Sequence, residues 1–284
     1  MKKIFMYLIA SAFLCAPVLA DDSQIRKYKV GSIEFISVKD INTNMGKSIL
    51  LNPAAEAVKK AMYDDQNPSS INAFVVKTAD KTILIDAGTG SGGNLLKNLE
   101  LAGVTPDTTD IVIITHMHSD HIGGLAGPKA EKVFTSAQVY VAAEELRYWL
   151  NAVSSEKNAA RTLKAVYADK LKTFEWDENI IPEIKAIGAP GHTPGHTMFE
   201  ISSGDDKILV IGDLVHNIKV QTIDPSISVV FDSDPKQAAA VRKKIFKDAA
   251  RSKTKIAGMH IPFPGVGYLS EDSAGKYFFN PSYR

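Results

Sequence analysis

Short apolar runs rich in β-branched residues recur along this chain. They alternate with longer stretches in which apolar residues fall at helical spacing. "KYKVGSIEFISVKD" reads as two strands around Gly31, and "AFVVKTADKTILIDAG" as a hairpin closed by the polar turn "TADK", ending at Asp86 before a glycine-rich loop. "DIVIIT" and "KILVIGD" are continuous apolar runs of the kind shown by strands buried on both faces. "AQVYVA", the two ends of "EIKAIGAPGHTPGHTMFEI", "KIAGMHI" and "AGKYFFNP" complete the predicted strands. Helices are predicted over "PAAEAVKKAM", "GGNLLKNLELAGV" with Gly103 as its stop, "AAEELRYWLNAV", "NAARTLKAVYADKL" and the amphipathic "DPKQAAAVRKKIFKDAARS". Strands alternating with helices predict an α/β or α+β domain with covered sheets.

The N-terminus departs from this pattern. Lys2 and Lys3 precede an apolar run from Ile4 to Leu14 and then "APVLA", the order of a secretory signal peptide with a cut after Ala20. The run is shorter than the roughly 20 residues of a membrane-spanning helix. Residues 1–20 are therefore expected to leave, and residues 21–284 to form one domain in the periplasm or outside the cell. Cys15, the one cysteine, leaves with the signal, so the mature chain uses no disulfide and no thiolate metal ligand. Losing Lys2 and Lys3 moves the formal charge from +1 to −1. No basic block stands out and no further run is long enough to span a bilayer. Nucleic acid and membrane are thus not expected as partners, which leaves a small-molecule substrate.

All seven histidines lie in four short segments, each directly after a predicted strand. His116, His118 and His121 are in "THMHSDHIGG", His192 and His196 in "GHTPGHT", His216 after "VIGDLV", and His260 in "GMHIPFPG". Loops at strand ends are where layered α/β folds place their chemistry. His116 and His118, two apart in extended backbone, face one way and can share an ion. Asp120 and His121 follow as the chain turns toward Gly123 and Gly124, which swings them toward a second position. Imidazole nitrogen and carboxylate oxygen are ligands that Zn²⁺ accepts, and a catalytic ion keeps a position for water.

These four residues are too few for two ions. His192 or His196, Asp213 and His260 supply the rest, and spacing does not choose between the first two. A closed structural zinc site is the alternative, but such sites usually use cysteine and one four-coordinate ion. A lone histidine such as His216 is more often a core or surface residue than a ligand. Asp86 reads either as a partner that orients a ligand histidine or as a cap of the loop "AGTGSGG". Tyr148, Trp149, Leu150 and Phe263 are candidate pocket walls, with ordinary core the plainer reading of Trp149.

"THMHSDHIGG", "GHTPGHT", "IGDLVH" and "GMHIPFPG" resemble, in order and spacing, the motifs of the metallo-β-lactamase superfamily, and the resemblance covers nearly all of residues 30–284. It implies a four-layer αββα sandwich, α+β in class, with two metal ions at one edge of the sheets. Carried over position by position, it implies one ion on His116, His118 and His192, a second on Asp120, His121 and His260, and Asp213 bridging them. The choice of His192 over His196 rests on the resemblance alone. "GDLVHNIKVQTIDPSISVVFDSDPKQAAAVRKK" and "HIPFPGVGYL" are similar to the methyl parathion hydrolase branch of secreted organophosphate hydrolases and related esterase–lactonases. His216 stands where N-acyl homoserine lactonases of the superfamily carry a tyrosine, a departure that counts against that narrower assignment. Members of the branch are often dimers, so a homodimer is expected.

The implied cofactors are two divalent ions, Zn²⁺ foremost, with Mn²⁺, Co²⁺ and Fe²⁺ compatible with the same donors. The implied activity is hydrolysis of lactones, aryl esters or phosphotriesters by a hydroxide that bridges the ions. Asp120 is expected to orient the nucleophile or take its proton, and His216 to hydrogen-bond substrate or leaving group, which makes these two the candidate catalytic residues. The alternatives are a β-lactam hydrolase and a non-catalytic metal-binding protein on the same scaffold. The complete donor set argues against the second.

Overall fold

The computed structural model describes residues 23–51, 59, 61, 67–152 and 156–283. The expected signal peptide, and nearly all of the helix predicted over 53–62, lie outside them.

Two seven-stranded sheets form the body, each with its strands in chain order. The first holds β1 (Ile25–Val30), β2 (Ile33–Asn44), β3 (Pro68–Lys77), β4 (Thr82–Ile85), β5 (Ile111–Ile113), β6 (Gln138–Ala142) and β7 (Leu171–Phe174). It is antiparallel up to β4 and parallel from β4 to β7. The second holds β8 (Asn179–Ile181), β9 (Ile184–Gly188), β10 (Thr197–Ser203), β11 (Asp206–Val210), β12 (Lys255–Ala257), β13 (Val266–Glu271) and β14 (Tyr277–Pro281). Only its β11–β12 pair is parallel.

The period-2 alternation of strands sorts the core into layers. Phe74 and Val76 of β3, Ile83 and Ile85 of β4, and Ile208 and Val210 of β11 fill the space between the sheets. Their sequence neighbours Val75 and Leu84 face the other way, toward α1 (Leu95–Leu101), α3 (Ala143–Asn151) and α4 (Glu156–Tyr167). On the second sheet Leu209, Ile211 and Ile256 face α5 (Ile218–Ile223) and α6 (Pro235–Ser252). The result is the αββα layering of the metallo-β-lactamase fold, α+β in class, as the motifs implied. A one-turn helix, α2 (Ser119–Ile122), carries Asp120 and His121.

α6 has clear ends. Asp234 caps it by accepting from the N–H groups of Lys236 and Gln237, Pro235 takes the first position, and Lys253 closes it in the left-handed region at φ 52°. Its buried face is Ala238, Arg242, Phe246 and Ala249, so a charged side chain sits in the middle of an apolar stripe.

β7, β8, β13 and α5 were not predicted. β7 is a short edge strand with exposed Lys172 and Thr173, which the pattern merged into the end of the preceding helix. β13 contains Gly267, which breaks the apolar run. The parallel pairs β4–β5 and β11–β12 bring the C-terminal ends of four strands to one edge, where every histidine segment emerges.

Candidate metal centre

His116 Nε2, His118 Nδ1 and His192 Nε2 form a triangle with sides of 3.0, 3.0 and 3.2 Å. A tetrahedral zinc with Zn–N of 2.0–2.1 Å sets its ligand atoms about 3.3–3.4 Å apart, so the triangle has the size of one face of such a site. Asp213 Oδ2 is the fourth donor, 3.6 Å from His116 Nε2 and 3.4 Å from His192 Nε2. Beside it, Asp120 Oδ2 lies 3.6 Å from His121 Nε2 and 3.4 Å from His260 Nε2. Asp213 reaches this group too, with Oδ1 at 3.3 Å from His121 Nε2 and Oδ2 at 3.0 Å from His260 Nε2. The seven donors expected from the sequence therefore converge as two sets with Asp213 between them.

The donor chemistry calls for cations. His192 Nδ1 faces a carboxylate and His116 Nδ1 faces the Thr115 hydroxyl, so both rings turn their Nε2 atoms toward one shared point, as ligands of a single ion do. His121 Nε2 and Asp213 Oδ1 are buried without any hydrogen-bond partner. A divalent ion in each set satisfies all of these atoms.

Each ligand is held by its own buried contacts. Asp86, at the end of β4 with φ 60°, accepts from the Thr115 N–H at 2.8 Å and hydroxyl at 2.7 Å, and faces His121 Nδ1 at 2.7 Å. That is the orienting role of its two readings. The glycine-rich loop is capped instead by Asp40, which accepts from the N–H groups of Thr89, Asn94 and Leu95. His192 Nδ1 lies 2.9 Å from Asp232 Oδ1, and the other oxygen of Asp232 is 3.7 Å from the buried guanidinium of Arg242. The His260 loop is tied to β3. The Ser69 hydroxyl donates to His260 O, and Ser70 and Asn72 donate to Ile261 O at 2.9 and 2.8 Å.

His196 stands outside both sets. Its Nδ1 donates to Ala189 O at 3.0 Å and its Nε2 accepts the Asp213 N–H at 3.0 Å. Gly212 makes that approach possible, since it adopts φ +55° and a Cβ there would lie 2.4 Å from His196 Nε2. His216 is nearer the donors than a bystander histidine need be. Its Nε2 is 3.2 Å from Asp213 Oδ2, and its ring stacks on His260 with centroids 4.9 Å apart.

Charge is unevenly distributed across the cluster. Burial lowers the His118 pKa to about 3, and the positive charges around it add to the effect. Burial likewise takes His196 to about 3 and His216 to about 4. Burial also pulls His121 down, but Asp213, Asp120 and Asp86 outweigh it and hold His121 well above the usual imidazole value. His192 rises to about 9, because Asp213 and Asp232 overcome its burial. Burial pushes Asp213 up, yet His121, His260, His116 and His216 bring it well below the carboxylate range.

The donors open into a cavity of about 590 Å³ walled by Met45, Met117, Ala159 and Phe231. No lysine or arginine lines it among the described residues. Asp120, with 27% of its side chain exposed, also faces it. The walls differ from the expected ones. The Phe263 ring packs under Lys39 Nζ at 5.3 Å instead of lining the cavity, and Trp149 is buried core whose ring lies 5.4 Å from that of His118. Tyr148 and Leu150 pack on the core beneath α3.

Residues 67–260 match the model of the metallo-β-lactamase superfamily, and the chain belongs to that superfamily. Among curated proteins it is similar to the probable metallo-hydrolase YqgX of Bacillus subtilis (strain 168), 26% identical over 151 residues that span 52% of this chain and 67% of that one. Nucleases are among the curated matches as well. Two solved structures align along most of the chain. The hydrolase AbOPH of the β-lactamase superfamily is 29% identical with a TM-score of 0.84, over 92% of this chain and 98% of that one. AidC, a dizinc quorum-quenching lactonase in complex with the product N-hexanoyl-L-homoserine, is 28% identical with a TM-score of 0.83, over 92% and 99%.

Proposed function

We propose that this chain is a di-metal hydrolase of the methyl parathion hydrolase-like branch that cleaves neutral lactones, aryl esters or phosphotriesters. The observation that carries the proposal is the pair of donor sets sharing Asp213 at the floor of a cavity with no lysine or arginine among its described wall residues. His116, His118, His192 and Asp213 would hold one ion, and Asp120, His121 and His260 the other, with Asp213 within 3.3 Å of His121 and 3.0 Å of His260. Ions so held supply Lewis acidity toward a carbonyl or phosphoryl oxygen and an activated water at neutral pH.

The protein's own contributions follow from the geometry. Asp120 is drawn below its ordinary pKa by His121 and His260 against the effect of burial, so it is ionised and offers a carboxylate oxygen to the proton of the attacking water. The His216 imidazole is neutral near pH 7 and borders the cavity, where it can hold a substrate or leaving-group oxygen. Met45, Met117 and Phe231 would bind the apolar part of the substrate.

Polyanionic substrates such as nucleic acid fit less well, because none of the described wall residues is a lysine or arginine that could meet phosphates. The likeness to AidC along nearly the whole chain supports a lactone among the substrates. The test is a panel of aryl ester, lactone, phosphotriester, β-lactam and single-stranded DNA, run on metal-reconstituted protein with metal content measured on the same sample. Turnover of one of the first three classes with two ions per chain is expected. Turnover of the β-lactam or DNA alone would overturn the assignment.

A further inference from the structure

Glu145 is a fully buried carboxylate that none of the site chemistry above uses. It lies in the first turn of α3, and its two oxygens face two different ligand loops. Oε1 accepts the Met117 N–H at 2.8 Å and the Trp149 indole N–H at 2.6 Å. Oε2 accepts the Thr193 hydroxyl at 2.7 Å and the Gly195 N–H at 3.0 Å. Met117 sits between His116 and His118, and Thr193 directly follows His192. All three imidazoles of the first donor set are thus within one residue of a group that donates to this carboxylate. None of the second set's own ligands, Asp120, His121 and His260, is so placed.

The contact is close as well as polar. A Cβ on Gly195 would lie 2.2 Å from the Glu145 backbone nitrogen, so α3 rests directly on the backbone of the His192 loop. Trp149, one turn further along α3, packs its ring 5.4 Å from that of His118 while donating to Oε1. Burial raises the Glu145 pKa, and the four donors are the counterweight. Such a group is costly to bury unless every lone pair it offers is used.

We infer that Glu145 is a positioning residue that fastens the His116–His118 loop to the His192 loop and thereby sets the affinity of the first ion. The inference rests on the two-ion reading above. A glutamine there keeps the size but turns an NH₂ toward one pair of donors, so one of the two loops loses its anchor.

The test is Co²⁺ titration of the purified, metal-stripped chain against a competing chelator, with His192→Ala and His260→Ala as references for loss of the first and second ion. Folding is checked by circular dichroism at the assay temperature. Glu145→Gln should weaken the first ion by about 10–100-fold, the usual effect of removing a group that orients metal ligands, and leave the second unchanged. Its titration should resemble an attenuated His192→Ala and not His260→Ala. Thr193→Val and Trp149→Phe each remove one donor, and should weaken the same ion by less. They carry the test if Glu145→Gln does not fold. Variants that bind both ions like the wild type, or that weaken both equally, would overturn the inference while leaving the two-ion reading intact. A wild type that takes up no ion would sink that reading and this inference together.

Discussion

The backbone N–H of Asp213 is bonded to Nε2 of His196 at 3.0 Å, so the carboxylate common to both donor sets is aimed by a histidine that belongs to neither. His196→Leu leaves that N–H and the Ala189 carbonyl buried without partners. Each such group costs about 1–3 kcal/mol. Because Asp213 is shared, both ions should bind more weakly, whereas His192→Ala should abolish only one. Urea unfolding of the metal-free protein and metal content after chelator challenge measure the two effects separately.

Asp86→Asn keeps the shape of the side chain but removes the charged acceptor behind His121. The second ion should weaken by about 10–100-fold, with the first little altered. Chelator competition reads this directly; the first ion, which Asp86 reaches only through Thr115, should lose less than the second, and a larger loss at the first would contradict the direct contact with His121.

Arg242 satisfies the carbonyls of Leu214, Pro225 and Ile227 and stands beside Asp232 within an apolar helix face. Arg242→Met strands the Leu214 and Pro225 carbonyls, leaves Ile227 O with only the Gln221 amide, and takes from Asp232 its cation. Breaking a buried pair from one side costs about 3–5 kcal/mol, so a large fall in urea stability is expected even with the metal sites loaded. An unchanged midpoint would show that the arginine is dispensable.

The pH response should differ between metal-free and loaded protein. His121 and His192 are held above the ordinary imidazole value, His192 at about 9. Without metal they add stability that is complete below the unfolded value of about 6.5 and is lost as pH rises through the folded value. His118, His196 and His216, held at about 3 to 4, act in the opposite sense and only at lower pH. The thermal midpoint of chelated protein should therefore fall from about pH 7 to about pH 9. The loaded protein should stay flat there, because its ligand nitrogens are already deprotonated.

Phe231 is 48% exposed at the cavity mouth, with its ring 5.9 Å from that of His216. Phe231→Ala should raise KM several-fold for substrates with apolar groups and leave kcat and stability nearly unchanged. A fall in kcat at constant KM would mean that the ring acts on His216 and not on substrate binding.

The chemistry of the site was legible because four donors are packed into "HMHSDH" at the end of a strand, where few other arrangements are physically sensible. The choice between His192 and His196 was not legible. Both sit in the same Gly-His-Thr setting, and only the approach of Gly212 and Asp213 from another strand separates them. Asp86 was half legible, since its place at a strand end suggested either of two partners. Glu145, Asp232, Arg242 and the Ser69–Asn72 segment gave no signal. Each has a partner 28 or more residues away in the chain, a backbone or ring whose nearness only the fold creates. The layers were readable from alternation, while β7 and β13 escaped because an exposed edge and a glycine each blur the period.

The ligands divide between the two halves of the molecule. His116, His118, Asp120 and His121 follow a strand of one sheet, and His192, Asp213 and His260 come from loops of the other. Neither half alone owns either ion's complete coordination sphere. Metal uptake is consequently a report on assembly, since the ions can act as rivets only once the two halves have met. Pulling them out should loosen the seam before it loosens either sheet.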